Sequence, residues 1–182
     1  NQISKNSFGN NAGNALDLGD DGVTTATTCT GAGGANNGLG RPVINSAQLV
    51  GQQLTVTVTF CESGVFDLEF YKASEGAGEN VPPAGEGVVY LGTLSNVSGG
   101  IVASAVLTVP VNASLNIGNK ITALAINTAS GDTSEFSVNY ALYLSIRGKI
   151  FNDLLGTASA SGPAFVGSTT ADVHLHNIQG VH

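Results

Sequence analysis

A few residues in this chain have the types and spacing to do chemistry. Asp17, Asp20 and Asp21 form the one tight carboxylate cluster. Calcium takes several oxygen ligands from carboxylates and carbonyls, so these three acids are a candidate Ca²⁺ site. The spacing is not that of an EF-hand loop, and Asp-Gly is also an ordinary turn signal, so a solvated turn is the simpler reading. Paired carboxylates also serve glycoside hydrolysis, but Trp is absent and no aromatic platform marks a sugar cleft. His174 and His176 stand at i, i+2 and share a face on a strand. Such a pair binds Zn or Cu when a third ligand converges, and His182 or Asp172 would be that ligand. The plain alternative is a polar strand face.

Other candidates are weaker. Ser, His and Asp all occur, but no G-x-S-x-G elbow supports a triad. The run from Gly31 to Gly40, GAGGANNGLG, lacks the Lys-Ser/Thr and the preceding hydrophobic strand of a phosphate loop. Glu135 beside Phe136 reads as a backbone-capping or exposed carboxylate next to a core aromatic rather than as a lone catalytic acid. Tyr71, Tyr90, Tyr140 and Tyr143 would build a glycan face only if they converged, and they read more simply as strand partners. Asn96-Val97-Ser98 and Asn112-Ala113-Ser114 are formal N-glycosylation sequons. The sequence offers no catalytic residue and, Ca²⁺ apart, no cofactor site.

Cys29 and Cys61 are the two cysteines. In a secreted chain an even number reads as a disulfide. This one would close a loop of about 33 residues, worth on the order of 3–4 kcal/mol in the chain-entropy model. Two separate thiols in a reducing compartment are the alternative. A zinc pair is disfavoured, because neither cysteine has a CxxC partner or a nearby His.

The elements that would position these groups are strands. Leu54–Phe60 alternates apolar and hydroxyl residues over its whole length, with Leu54, Val56, Val58 and Phe60 on one side and Thr55, Thr57 and Thr59 on the other. Six further stretches are strand-like. They are Val43–Val50, Val65–Lys72, Val88–Leu94, Ile101–Val109, Ile121–Asn127 and Thr133–Leu142. The organising strand, Leu54–Cys61, and Val65–Lys72 are expected to form a hairpin through a short Glu-Ser-Gly turn. Phe66, Leu68 and Phe70 share one face of the second strand, opposite Asp67, Glu69 and Tyr71. Ile121, Ala123 and Ala125 alternate with Thr122, Leu124 and Ile126. Phe136, Val138 and Tyr140 are expected to share a face. Seven strands at this spacing predict an Ig-like β-sandwich over residues 43–142. No segment carries a helical i, i+3, i+4 stripe.

Composition narrows the class. Of 182 residues, 42% are hydrophobic, enough for a core, and only 10% are charged, against about 25% in ordinary globular chains. Solubility then rests on Ser, Thr, Asn, Gln and Gly, a habit of secreted β proteins and large assemblies. The net charge of −7 and pI near 4.6 exclude a basic footprint for nucleic acid or an anionic membrane. No apolar run approaches the roughly 18 residues of a membrane span. Residues 24–42 are a Gly/Thr-rich linker by composition.

Residues 1–23 hold short apolar pulses (Ile3, Phe8, Ala15-Leu16, Leu18) between Asn and Gly turns. The string N-x-I-x-x-N-x-F-x-N-N-A-G-x-A-L-D-L-G-D-D-G-V resembles the last coil of right-handed parallel β-helix regions in large bacterial surface and secreted proteins. In those proteins a polar linker and an Ig-like sandwich follow, with an ending of the type T-S-E-F-S. Thr133-Ser134-Glu135-Phe136-Ser137 stands at the matching place. Leu144–Asp153 resembles the opening of adhesin-type repeat β domains. The acidic calcium loop that often follows there is replaced by LLGTASASGPAFVGS, which puts calcium binding at that point in doubt. Ala171–Ile178 is the next expected strand, and residues 143–182 form an incomplete β domain or a strand-exchange segment.

The resemblance implies an architectural role with no catalytic residues. The expectation is therefore an all-β chain, an Ig-like β-sandwich flanked by an N-terminal β-helix-type coil and a C-terminal partial β domain. It would be secreted or at the cell surface and would self-associate into a fibre, layer or stalk or contact other domains of a longer chain. The alternative is an accessory or carbohydrate-binding region of a β-helix enzyme such as a polysaccharide lyase.

Overall fold

Alternating Leu54, Val56, Val58 and Phe60 have one way to leave water, which is to face a second apolar surface. In the computed structural model all four are buried, at 1% exposure or less. The structure describes residues 1–9, 11, 14–20, 22, 35–74 and 86–143. The chain divides into two units, Asn1–Leu144 and Ser145–His182. The second lies outside the described residues, and with it His174, His176 and the expected strand Ala171–Ile178.

Seven strands are assigned: β1 (Val43–Val50), β2 (Gln53–Phe60), β3 (Val65–Ser74), β4 (Glu86–Ser98), β5 (Ile101–Thr108), β6 (Lys120–Asn127) and β7 (Tyr140–Ala141). They build two antiparallel sheets, ordered β1-β2-β5 and β4-β3-β6-β7. One continuous core lies between them. It joins Leu54, Val56, Val58 and Phe60 to Phe66, Leu68, Phe70, Ile121, Ala123 and Ala125. Each large apolar side chain there contributes roughly 1.5–3 kcal/mol by burial. The architecture is all-β and sandwich-like.

β2 and β3 are not the expected hairpin. β2 pairs with β1 and β5, whereas β3 pairs with β4 and β6. Residues 61–64 carry the chain from one sheet to the other. Side by side in one sheet, the two apolar faces would both need a third layer; stacked, they cover each other. Phe60 and Phe66 meet edge to face across that gap, with centroids 4.6 Å apart, a favoured aromatic geometry.

The strand expected over 133–142 shrinks to Tyr140–Ala141, with one isolated bridge from Thr133 to Ile126. Serine hydroxyls explain the difference. Ser134 N donates to Ala125 O at 2.8 Å, and Ser134 Oγ accepts Ala125 N at 2.9 Å. Ser137 repeats the arrangement at Ala123, at 2.7 Å to the carbonyl and 2.9 Å from the amide. The side chain stands where a ladder carbonyl would be, so β6 is satisfied without a regular partner. Phe136, Val138 and Tyr140 consequently do not share a face. Phe136 packs with Tyr71 outside the sheet, Tyr140 packs against the inter-sheet core, and Val138 is exposed.

β4 runs longer than expected because it is bulged. Three register shifts against β3 insert extra residues, one of them beside Asn96, whose φ of 57° is left-handed. Asp67 Oδ1 accepts Asn96 N there at 3.0 Å. A bulge also interrupts β1 between Ile44 and Ser46; without it Ala47 and Leu49 would point away from the core.

Candidate functional site

β3 and β6 are buried on both faces. The second faces of these strands carry Tyr71, Leu124 and Ile126, which with Phe136 form a separate cluster on the outside of the four-stranded sheet. Its cover comes from the N-terminal segment, whose Phe8, Ala15 and Leu16 pack against it. Phe136 stands between Phe8 and Tyr71 as a ring pair to each, both at 5.4 Å. Among the described residues of 1–22 no strand is assigned. The segment is held by side chains of β3, β4 and the connections beside the sheets instead.

Buried glutamates do the holding. Glu62, Glu69, Glu86 and Glu135 are all buried, and each accepts a backbone N–H from residues 1–40. Glu69 Oε2 accepts Lys5 N at 2.9 Å, and its Oε1 accepts the Ser4 hydroxyl at 2.6 Å. Glu86 Oε1 accepts Asn11 N at 2.6 Å. Glu135 Oε1 accepts Leu18 N at 2.9 Å, and Glu62 Oε1 accepts Gly40 N at 3.0 Å. An irregular segment lacks its own ladder, and a carboxylate supplies the missing acceptors at charge-assisted strength.

Further bonds run along the same seam. Thr133 Oγ1 accepts Ile3 N at 2.8 Å. Phe8 N donates to Gly87 O at 3.0 Å, and the Ser7 hydroxyl donates to Val88 O at 2.6 Å. Gly87 is required by this approach, since a Cβ there would lie 2.7 Å from the Phe136 ring and 2.9 Å from Tyr71. Asn36 and Asn37 adopt left-handed φ of 46° and 54°, and their amides donate to Thr133 O and Asp132 Oδ2 at 2.9 and 2.6 Å.

Electrostatics follow this geometry. Burial, then the hydrogen bond to Glu69, pushes the Tyr71 phenol well above the ordinary tyrosine value. Burial lowers the Arg41 guanidinium from its ordinary value, and nearby Glu135 opposes that shift. Hydrogen bonds from Ser130 and Asn37 hold the Asp132 carboxyl below the ordinary carboxylate range. Glu69 therefore works as an anchor, with donors on both oxygens. Beside it an open polar groove of about 280 Å³ is lined by Gln2, Ser4, Lys5, Asp67, Tyr90 and Thr93 among others, with Lys5 Nζ 5.9 Å from the Tyr90 ring centre.

The residues singled out by sequence fall as follows. Glu135 is a buried backbone cap beside a core Phe, as read. Asp17 Oδ2 accepts Gly22 N at 3.0 Å, closing a turn, and Asp20 is exposed with a φ of 58°. Asp21 lies outside the described residues. Among the described residues no group of three His, Cys, Asp or Glu side chains could hold a metal. Cys61 is not a free thiol, and Cys29 lies outside the described residues. Tyr71 and Tyr90 do meet, at 5.6 Å, but Tyr71 is buried. Sequence reasoning missed Glu62, Glu69 and Glu86 as anchors. The available signal was β6, apolar on both faces, which demands cover on both sides of its sheet.

No protein-family model matches the chain, and no curated protein matches it in sequence.

Proposed function

We propose that this chain is a non-catalytic, extracellular structural or adhesive module that builds or extends a surface fibre, layer or stalk. The observation carrying the reading is the set of buried glutamates that hold the backbone amides of Lys5, Asn11, Leu18 and Gly40 against the sandwich. A module that passes load or position from a preceding segment needs a rigid joint, and charge-assisted bonds from buried glutamates beside an aromatic cluster make one. The strand order, β1-β2-β5 against β4-β3-β6-β7, supports an Ig-like sandwich. The preceding β-helix-type coil and the adhesin-type continuation rest on the sequence resemblance. A Cys29–Cys61 disulfide would tie the linker to the end of β2 and suits a secreted or cell-surface location.

The purified chain is expected to form ordered multimers or extended particles by electron microscopy. Monodisperse monomers that bind a defined glycan would overturn the proposal. They would favour the second reading, an accessory carbohydrate-binding region, for which the polar groove beside Lys5 and Tyr90 is the supporting observation.

A further inference from the structure

The three-stranded sheet contains no charged residue. Its strands read VINSAQLV, QLTVTVTF and IVASAVLT, in a chain of net charge −7. Its outward face carries Thr55, Thr57 and Thr59 beside Ser104 and the exposed Val102 and Val106. Nothing on this sheet repels a second copy of itself.

Sheet edges differ in how they are guarded. An unpaired edge recruits another strand unless it is short, bulged, charged or covered. β7 is two residues long. β4 carries three register shifts and β1 carries one. β5 has none of these devices. Its eight residues pair with β2 in unbroken register from Gln53↔Thr108 to Phe60↔Ile101. Among the described residues it has no strand neighbour on its other side. Pro110 falls beyond its end.

We infer that β5 is a self-association edge, pairing antiparallel with β5 of a second copy about a two-fold axis at Ser104. This rests on the self-association reading above and names one of its contacts; a two-fold contact closes on a pair of chains, so extension into a fibre or layer takes a second contact elsewhere. The register follows from the exposed residues. Centring on Ser104 sets Val102 opposite Val106 of the second copy, and does so twice. These valines are 62% and 68% exposed, and β-branched cross-strand pairs stabilise such a ladder. The same register places Ala103 opposite Ala105, so the inner side stays small and uncharged. Two three-stranded sheets become one continuous sheet, and the pairing is isologous, as a two-fold interface must be.

The test uses the intact chain with a spin label at Ser104→Cys, the unsubstituted chain as labelling control, and sedimentation equilibrium. The expected result is strong dipolar broadening, since facing residues in antiparallel strands are only about 4.5–5.5 Å apart at Cα. Val106→Lys, at an exposed position, should weaken association about tenfold or more, because the symmetric interface contains the substitution twice. Val50→Lys on the opposite edge of the same sheet should associate like the parent chain. Multimers without broadening at position 104, and unaffected by Val106→Lys, would overturn the β5 pairing and leave self-association standing. Monomers for the parent chain would overturn both.

Discussion

Replacing Glu69 separates the anchor from ordinary packing. Its carboxylate accepts three donors: Ser4 Oγ on Oε1, and Lys5 N and the Tyr71 hydroxyl on Oε2. In Glu69→Gln the amide oxygen can face Lys5 and Tyr71 while its NH₂ donates to Ser4 Oγ, which also accepts. Every bond survives, and only the charge assistance is lost, about 1 kcal/mol. Glu69→Leu keeps the shape but leaves the Ser4 and Tyr71 hydroxyls without their acceptor. Lys5 N retains Tyr71 Oη at 3.1 Å. The buried Tyr71 hydroxyl at about 1–3 kcal/mol and the part-buried Ser4 hydroxyl at less, offset by removal of a buried charge, give a loss of about 2–3 kcal/mol. Urea unfolding measures both values. Limited proteolysis should show residues 1–22 of the Leu variant cleaved first. Equal losses for the two variants, or a Leu variant within about 0.5 kcal/mol of the parent, would refute the anchoring argument.

Other consequences can be checked alongside. Because the folded-state Tyr71 phenol titrates above its unfolded value of about 10, its contribution is intact below that pH. It is lost as pH rises further, by about 1.4 kcal/mol per unit, and Tyr71→Phe should remove this alkaline slope in urea titrations. Ser137→Ala takes the acceptor from buried Ala123 N and should cost about 1–3 kcal/mol by the same assay. Gly87→Ala places a methyl against Phe136 and Tyr71 and should cost about 1–3 kcal/mol, with the Phe8 amide resonance shifted in an amide correlation spectrum.

Strand positions were legible because alternation reports burial directly. β2 was expected over Leu54–Cys61 and runs Gln53–Phe60; β6 was expected over Ile121–Asn127 and runs Lys120–Asn127. Alternation does not report which sheet a strand joins, so β2 and β3 read as a hairpin when they stack. Nor does it show when a hydroxyl replaces a carbonyl, so Ser134 and Ser137 passed for strand residues. The seam was hardest to see. Ser4 and Glu69 are 65 residues apart, Leu18 and Glu135 are 117 apart, and no local pattern links them. Only Glu135 was legible, because Phe136 follows it.

The central claim is that the described residues of 1–40 and the sandwich form one rigid joint held by buried carboxylates. Native-state hydrogen exchange on the intact chain tests it at four amides: Lys5, Asn11, Leu18 and Gly40. The account predicts protection comparable to that of Ala123 and Ala125 in β6, and a selective drop at Lys5 in Glu69→Leu, where only the 3.1 Å bond to Tyr71 Oη remains. Exchange at all four amides near the rate of an unfolded chain, with β6 still protected, would contradict it.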